Sequence, residues 1–273
     1  MTAPDPLAGE LLDLAVSTAR SAARMVESGA ARGVEVAATK SSDVDVVTES
    51  DRSAERLIRR TLLEARPDDS VLGEEAEGDQ SHEPGSSGVR WIVDPIDGTV
   101  NFLYGIPQYA VSIAAELEGE VVAGVVLNVA TGAEYTATLG GPAHRDGVPL
   151  RVRATVPLAE RLIGTGFSYE AHQREIQAAA LLRLLPRIRD IRRFGSCALD
   201  LCGVAQGSLD GYVEEGVNLW DHAAGGLVAR SAGARVESDL GVGGRLIVIA
   251  APEAGFDEFR SALAAAGYLA DPG

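Results

Sequence analysis

The stretch Trp91-Ile-Val-Asp-Pro-Ile-Asp-Gly-Thr-Val-Asn-Phe102 decides how this chain is read. The apolar run Trp91–Val93 reads as a short strand that delivers Asp94 to its end. Pro95 has no N–H to give a ladder and is expected to stop the strand there. Asp97 follows, then Gly98 and Thr99, a threonine suited to cap a helix. Two carboxylates on a rigid turn can converge on a hard cation. The backbone N–H groups of Gly98 and Thr99, at the helix start, can meet an anion. Cation beside anion is the arrangement phosphoryl transfer needs, although a bare Asp-x-x-Asp-Gly is also an ordinary acidic turn with a helix cap.

Other acidic patches lie on either side. Gly73-Glu74-Glu75 follows the apolar pair Val71-Leu72, which puts the glutamates at a strand end. Trp220-Asp221 opens a helix far downstream, and Glu214-Glu215 closes a strand that begins near Asp210. Lys40 to Asp51 places acids and hydroxyls just before another helix. Each patch alone has a bland explanation as a cap, a turn or a surface pair. Together they match what a Mg²⁺ site requires, carboxylates gathered from separated elements.

The surrounding pattern is layered α and β. Leu7, Leu11, Leu14, Thr18, Ala22 and Met25 recur at helical spacing, predicting a first helix that ends near Gly29. A second helix is expected from Ser50 or Asp51 to just before Pro67. The polar segment 76–90 reads as an exposed, mobile loop. Gln108–Leu117, Glu120–Asn128 and Ala133–Thr138 read as a meander of antiparallel strands. Strand-like and helical stretches then alternate, with helices expected at 172–185, 196–206, 220–232 and 256–266, and strands at 161–165, near Ile191, at 209–213, 234–238 and 245–250.

Composition excludes several classes of partner. The chain has 273 residues and a formal net charge of −16, with Lys40 its single lysine. Such a charge opposes the phosphate attraction behind nucleic-acid binding and opposes docking on anionic lipid. Val121–Leu127 and the other apolar runs are far too short to span a bilayer. The N-terminus lacks the basic start and apolar block of a secretory signal. Cys197 and Cys202 are spaced to fall on different faces of one helix, which favours neither a disulfide nor a zinc pair. A cytoplasmic protein that binds neither nucleic acid nor membrane is the expectation.

On Gly73-Glu74-Glu75, on Asp94-Pro-Ile-Asp-Gly-Thr99 with Asn101-Phe102, and on Trp220-Asp221 followed by Ala223-Ala224-Gly225, the chain resembles the inositol monophosphatase family of Mg²⁺-dependent, lithium-sensitive phosphatases. The resemblance runs from about Lys40 to Gly233, with the motifs in the family's order. It implies an α/β/α/β/α sandwich, akin to fructose-1,6-bisphosphatase, with mixed and antiparallel sheets. The whole chain, 1–273, would be one such domain, with sub-regions of about 1–150 and 151–273, and would pair as a homodimer. It further implies that Glu74, Asp94, the Ile96 carbonyl, Asp97 and Asp221 hold two or three Mg²⁺ ions. Asp51 would hydrogen-bond Thr99, and Glu74 with Thr99 would orient and deprotonate the attacking water. Asp97, Gly98 and Thr99 would contact the substrate, and Gly195, Ser196, Cys197 and Glu214 would face its alcohol portion. Cys197 stands where the family commonly has alanine, and His222 where it commonly has an apolar residue. Both have ordinary alternatives, as a small core residue and a satisfied helix-start histidine.

Lys40, a lone lysine among arginines, suggests a compact ammonium near phosphate or metal ligands, or simple chance survival. The resemblance implies a phosphomonoesterase acting on a small polyol phosphate, with inositol 1-phosphate the first choice and histidinol phosphate the runner-up. Sugar bisphosphates and 3′-phosphoadenosine nucleotides are further candidates, and Arg192 with Arg193 could hold a second phosphate or be plain surface charges. A non-catalytic regulatory protein on the same fold is the alternative of a different class, disfavoured by the intact acids. A haloacid-dehalogenase nucleophile would need Asp-x-Asp, and the spacing here is one residue longer. Gly166-Phe-Ser168-Tyr-Glu170 lacks the final glycine of a nucleophile elbow. Gly241-Val-Gly-Gly is not followed by Lys-Ser/Thr, so it is no Walker loop.

Overall fold

The computed structural model describes residues 6–32, 36–39, 46–75 and 85–270. Helix α1 (Pro6–Arg32) leads to strands β1 (Val36–Thr39) and β2 (Val46–Thr48), which pair antiparallel, and then to helix α2 (Glu49–Ala65). The next strands are β3 (Ser70–Gly73) and β4 (Val89–Asp97), followed by the short helix α3 (Thr99–Tyr104). The meander β5 (Ala110–Leu117), β6 (Glu120–Asn128) and β7 (Glu134–Thr138) forms as the sequence predicts, and a small hairpin, β8 (His144–Arg145) and β9 (Val148–Pro149), extends it. The second half contains β10 (Leu162–Thr165), α4 (Ala171–Leu184), β11 (Asp190–Arg192), α5 (Cys197–Ala205), β12 (Gly211–Glu215), α6 (Leu219–Ser231), β13 (Ala234–Leu240), β14 (Leu246–Pro252) and α7 (Phe256–Ala266).

Strands β3 to β9 make a seven-stranded sheet in sequence order, while the five-stranded sheet runs β11-β10-β12-β14-β13. Within the first, β3 and β4 are parallel and the rest antiparallel. The second is parallel across β11, β10 and β12 and antiparallel beyond.

Side-chain alternation assigns the layers. Val111, Ile113 and Ala115 of β5 pack under α1 and α2 with Leu11, Ala15, Ala19, Ile58 and Leu62. The intervening Ala110 and Ala114 face α5 and α6, meeting Ala198, Cys202, Ala224 and Leu227. On their far side α5 and α6 meet the second sheet through Leu201, Val204, Ala229, Val248 and Ala250. The outer face of that sheet is covered by α4 and α7 through Leu184, Phe256, Phe259 and Leu263. The result is helix–sheet–helix–sheet–helix, and the middle layer is rich in alanine because two sheets must approach it closely.

Three expectations need correcting. Strand β4 does not stop at Asp94. It continues through Pro95 to Asp97, because its pairing with β5 shifts register between those two aspartates. The proline sits inside that irregularity, where no ladder N–H is required of it. Thr99 is not a helix cap either. The N-cap of α3 is Gly98, in the left-handed region at φ 95°, and Thr99 is the first helical residue. Helix α1 also runs on past Gly29 to Arg32. Lys40 and the segment 76–84 lie outside the described residues, as does the loop expectation that falls on that segment.

Candidate active site

The two sheets and the middle helices direct their ends at one cleft of about 300 Å³. Its walls include Glu74 just past β3, Asp94, Ile96 and Asp97 from β4, Gly98 and Thr99 from the start of α3, and Asp221 from the first turn of α6. Gly195 and Cys197 enter from the start of α5, and Glu214 from β12. The acids expected to share a site therefore do so, although they are drawn from separate elements.

Local rules explain how each carboxylate is held. The irregularity in β4 turns Asp94 so that its Oδ1 accepts the Ile96 N–H at 3.0 Å. Asp97 reaches the N-terminus of α5, where its Oδ2 accepts from Ser196 Oγ at 2.5 Å and Ala198 N at 2.7 Å, and its Oδ1 from Cys197 N at 3.3 Å. Asp221 is the third residue of α6 and accepts the Asn218 N–H at 2.6 Å, closing a capping box. Asp51 is the corresponding residue of α2. It caps with Thr48 and lies wholly buried behind the cleft, where its Oδ1 accepts the Thr99 hydroxyl at 3.1 Å. Gly98 permits the sharp turn, since a Cβ there would stand 2.9 Å from the Gln108 carbonyl.

Ser196 departs from its expected place. Its hydroxyl is buried and turned to Asp97 instead of to the cleft, and it also accepts the Leu199 N–H as the N-cap of α5. It is placed to set the orientation of Asp97. Asp51 likewise does not line the cleft and reaches it only through Thr99. Phe167, Tyr169, Asn218 and Arg245 line the cleft without having been singled out from the sequence. They belong to loops and a hairpin brought in by tertiary packing, and no local pattern marks them. His222 is mostly buried beside Asp221, and burial lowers its imidazole to about 4, so it is neutral near pH 7.

Burial drives the electrostatics. It pushes Asp94 well above the usual carboxylate range, and Glu74, Asp97 and Asp221 add like-charge repulsion. Asp221 is raised for the same reasons, with burial first and then Glu74 and Asp97. Asp97 is raised by burial to about 7 against the pull of its Ser196 and Ala198 donors. Among the described residues no arginine pairs with Asp94, Asp97 or Asp221. Three aspartates crowded into one cleft, none of them paired with an arginine, offer hard oxygen donors that fit a divalent ion by their chemistry. As they stand, no three acidic, histidine or cysteine side chains among the described residues close round one point tightly enough to hold an ion. Each aspartate spends oxygens on backbone N–H groups, so ligation would draw the side chains inward.

Comparison with known proteins shows what this chain is similar to. The model of the inositol monophosphatase family matches residues 8–251. The Mycobacterium tuberculosis protein named inositol-1-monophosphatase SuhB is 45% identical over 280 residues, covering 96% of this chain and 96% of its own. The Nus factor SuhB of Pasteurella multocida is 37% identical over 227 residues, covering 83% of this chain and 84% of its own. The solved structure of Mycobacterium tuberculosis SuhB aligns with a TM-score of 0.81 at 43% identity, covering 96% of this chain and 98% of its own.

Proposed function

The chain belongs to the inositol monophosphatase family, and on that premise we propose that it is a Mg²⁺-dependent phosphomonoester hydrolase whose first-choice substrate is inositol 1-phosphate. The observation that carries the reading is the convergence of Glu74, Asp94, Asp97, Thr99 and Asp221 on one cleft, with Asp51 hydrogen-bonded behind Thr99.

Glu74, Asp94, the Ile96 carbonyl, Asp97 and Asp221 would hold Mg²⁺. When bound, the cations supply the positive charge that receives the phosphate, acidifies water and stabilises the departing alkoxide. The Thr99 hydroxyl has one proton and two acceptors near it, Asp51 Oδ1 at 3.1 Å and the Ile96 carbonyl at 3.0 Å. With the Ile96 carbonyl turned to ligation, the proton goes to Asp51, and a lone pair of Thr99 is left to accept from the attacking water. Glu74 takes the proton that this water loses. The water oxygen then bonds to phosphorus as the opposite P–O ester bond breaks, and the departing alkoxide takes its proton from solvent water to become the alcohol. No side chain becomes phosphorylated in this scheme. Gly98 and Thr99 N–H groups would contact the phosphate, while Gly195, Cys197 and Glu214 would face the alcohol.

Phosphate release from inositol 1-phosphate, histidinol phosphate, fructose 1,6-bisphosphate and a 3′-phosphoadenosine nucleotide, each with and without Mg²⁺ and Li⁺, tests this reading. A Mg²⁺-dependent, Li⁺-inhibited preference for inositol 1-phosphate is expected. The relatives named Nus factor favour a second reading, a binding protein on the same fold. That reading takes over if no ester in the panel is hydrolysed.

A further inference from the structure

Tyr212 is a fully buried tyrosine whose polar end is committed to the cleft. Its phenol donates to Glu214 Oε2 at 2.8 Å. Burial holds the phenol well above its ordinary pKa, so it keeps the proton it donates. On the other side, Glu214 lies flat against Gly166, where an added Cβ would stand 2.0 Å from both carboxylate oxygens. The carboxylate is thus clamped between a hydrogen-bond donor and a bare backbone, and among the described residues Oε1 accepts no hydrogen bond, although the Arg193 charge favours the ionised carboxylate.

We propose that Tyr212 is a positioning residue for substrate choice: it fixes Glu214 so that Oε1 accepts a hydroxyl of the leaving alcohol, selecting phosphomonoesters whose alcohol carries hydroxyls beside the ester carbon. This rests on the phosphomonoesterase reading of the cleft and adds the residue that orients its specificity group. Tyr212 touches neither substrate nor reacting atoms. Its effect passes through Glu214, so the two residues form one unit and their substitutions should not add.

The test is a double-mutant cycle of Tyr212→Phe and Glu214→Gln, assayed with inositol 1-phosphate and with phenyl phosphate, which has no hydroxyls. Tyr212→Phe is expected to raise KM for inositol 1-phosphate about tenfold, as loss of a hydrogen bond to a charged group implies, with kcat and phenyl phosphate hydrolysis changing less than twofold. In the Glu214→Gln background the same change should add less than twofold. Gly166→Ala, which displaces the carboxylate from the opposite side, should raise KM for inositol 1-phosphate in the same way, and an unchanged KM there overturns the proposal even if Tyr212→Phe does not fold. An equal fall in kcat on both esters, or a full Tyr212→Phe effect persisting without the Glu214 carboxylate, overturns the proposal. Calorimetric binding of myo-inositol separates the two layers of inference. If no ester is hydrolysed by the wild type, the phosphatase reading fails, and myo-inositol affinity alone judges Tyr212: weakening about tenfold supports its role, and no change or no binding overturns it.

Discussion

Thr99 donates its hydroxyl to Asp51 Oδ1 at 3.1 Å, tying the first turn of α3 to the first turn of α2. Asp51 is itself fixed by the backbone and hydroxyl of Thr48, so the hydrogen bond fixes which way the Thr99 oxygen points. Thr99→Val keeps the shape and removes the bond. Its kcat on inositol 1-phosphate should fall about 10²-fold or more, the usual worth of a positioned proton-transfer group, with KM nearly unchanged. Steady-state kinetics checks this, and an unaltered kcat would remove Thr99 from the mechanism.

Ser196 acts on Asp97 and on α5 together. Ser196→Ala removes an N-cap, costing about 1 kcal/mol of stability, and takes from Asp97 Oδ2 one of its two donors, leaving Ala198 N–H. Mg²⁺ activation should then require roughly tenfold more metal, as loss of an outer partner of a ligand typically does. Thermal melts and Mg²⁺ titrations of activity measure the two effects separately. Loss of stability with unaltered metal dependence would leave Ser196 as a cap alone.

Cation binding should be visible without turnover. At a free Mg²⁺ concentration a hundredfold above Kd, binding adds about 2.7 kcal/mol, or roughly 5–10 °C in Tm for a chain of this size. EDTA should reverse the shift. A Tm indifferent to Mg²⁺ across the millimolar range would contradict the metal assignment.

Asp94 is buried among Glu74, Asp97 and Asp221, each of which raises the cost of its charge. Asp94→Asn should therefore stabilise the metal-free protein by relieving that repulsion, while abolishing the Mg²⁺-dependent rise in Tm. Calorimetry in EDTA and in Mg²⁺ gives both numbers. Destabilisation in EDTA would show that the carboxylate is structural.

Much of this site is legible in the sequence because the Asp94–Thr99 motif compresses several roles into one turn. The strand that delivers Asp94 and the helix start that holds Asp221 follow from local apolar patterns and caps. The path of β4 through Pro95 is not legible, because a register shift depends on the neighbouring strand β5. The β8–β9 hairpin is not legible for a related reason, since two-residue strands carry no alternation to read. Ser196 reads from sequence as a cleft residue. Only the approach of α5 to β4, nearly a hundred residues apart in the chain, turns its hydroxyl to Asp97. Tyr212 gives no signal at all, because an inward tyrosine on a strand looks like any core residue until its hydroxyl is seen on Glu214.

The central claim is that this acidic cleft hydrolyses phosphomonoesters only when divalent cations complete it. Its most direct test is the initial rate of phosphate release from inositol 1-phosphate by EDTA-stripped protein as Mg²⁺ is restored, run beside Asp94→Asn. The expected result is no release in EDTA, saturable activation by Mg²⁺ in the wild type, and none in Asp94→Asn at any Mg²⁺ concentration. Equal release with and without Mg²⁺, or full Mg²⁺ activation of Asp94→Asn, would contradict it.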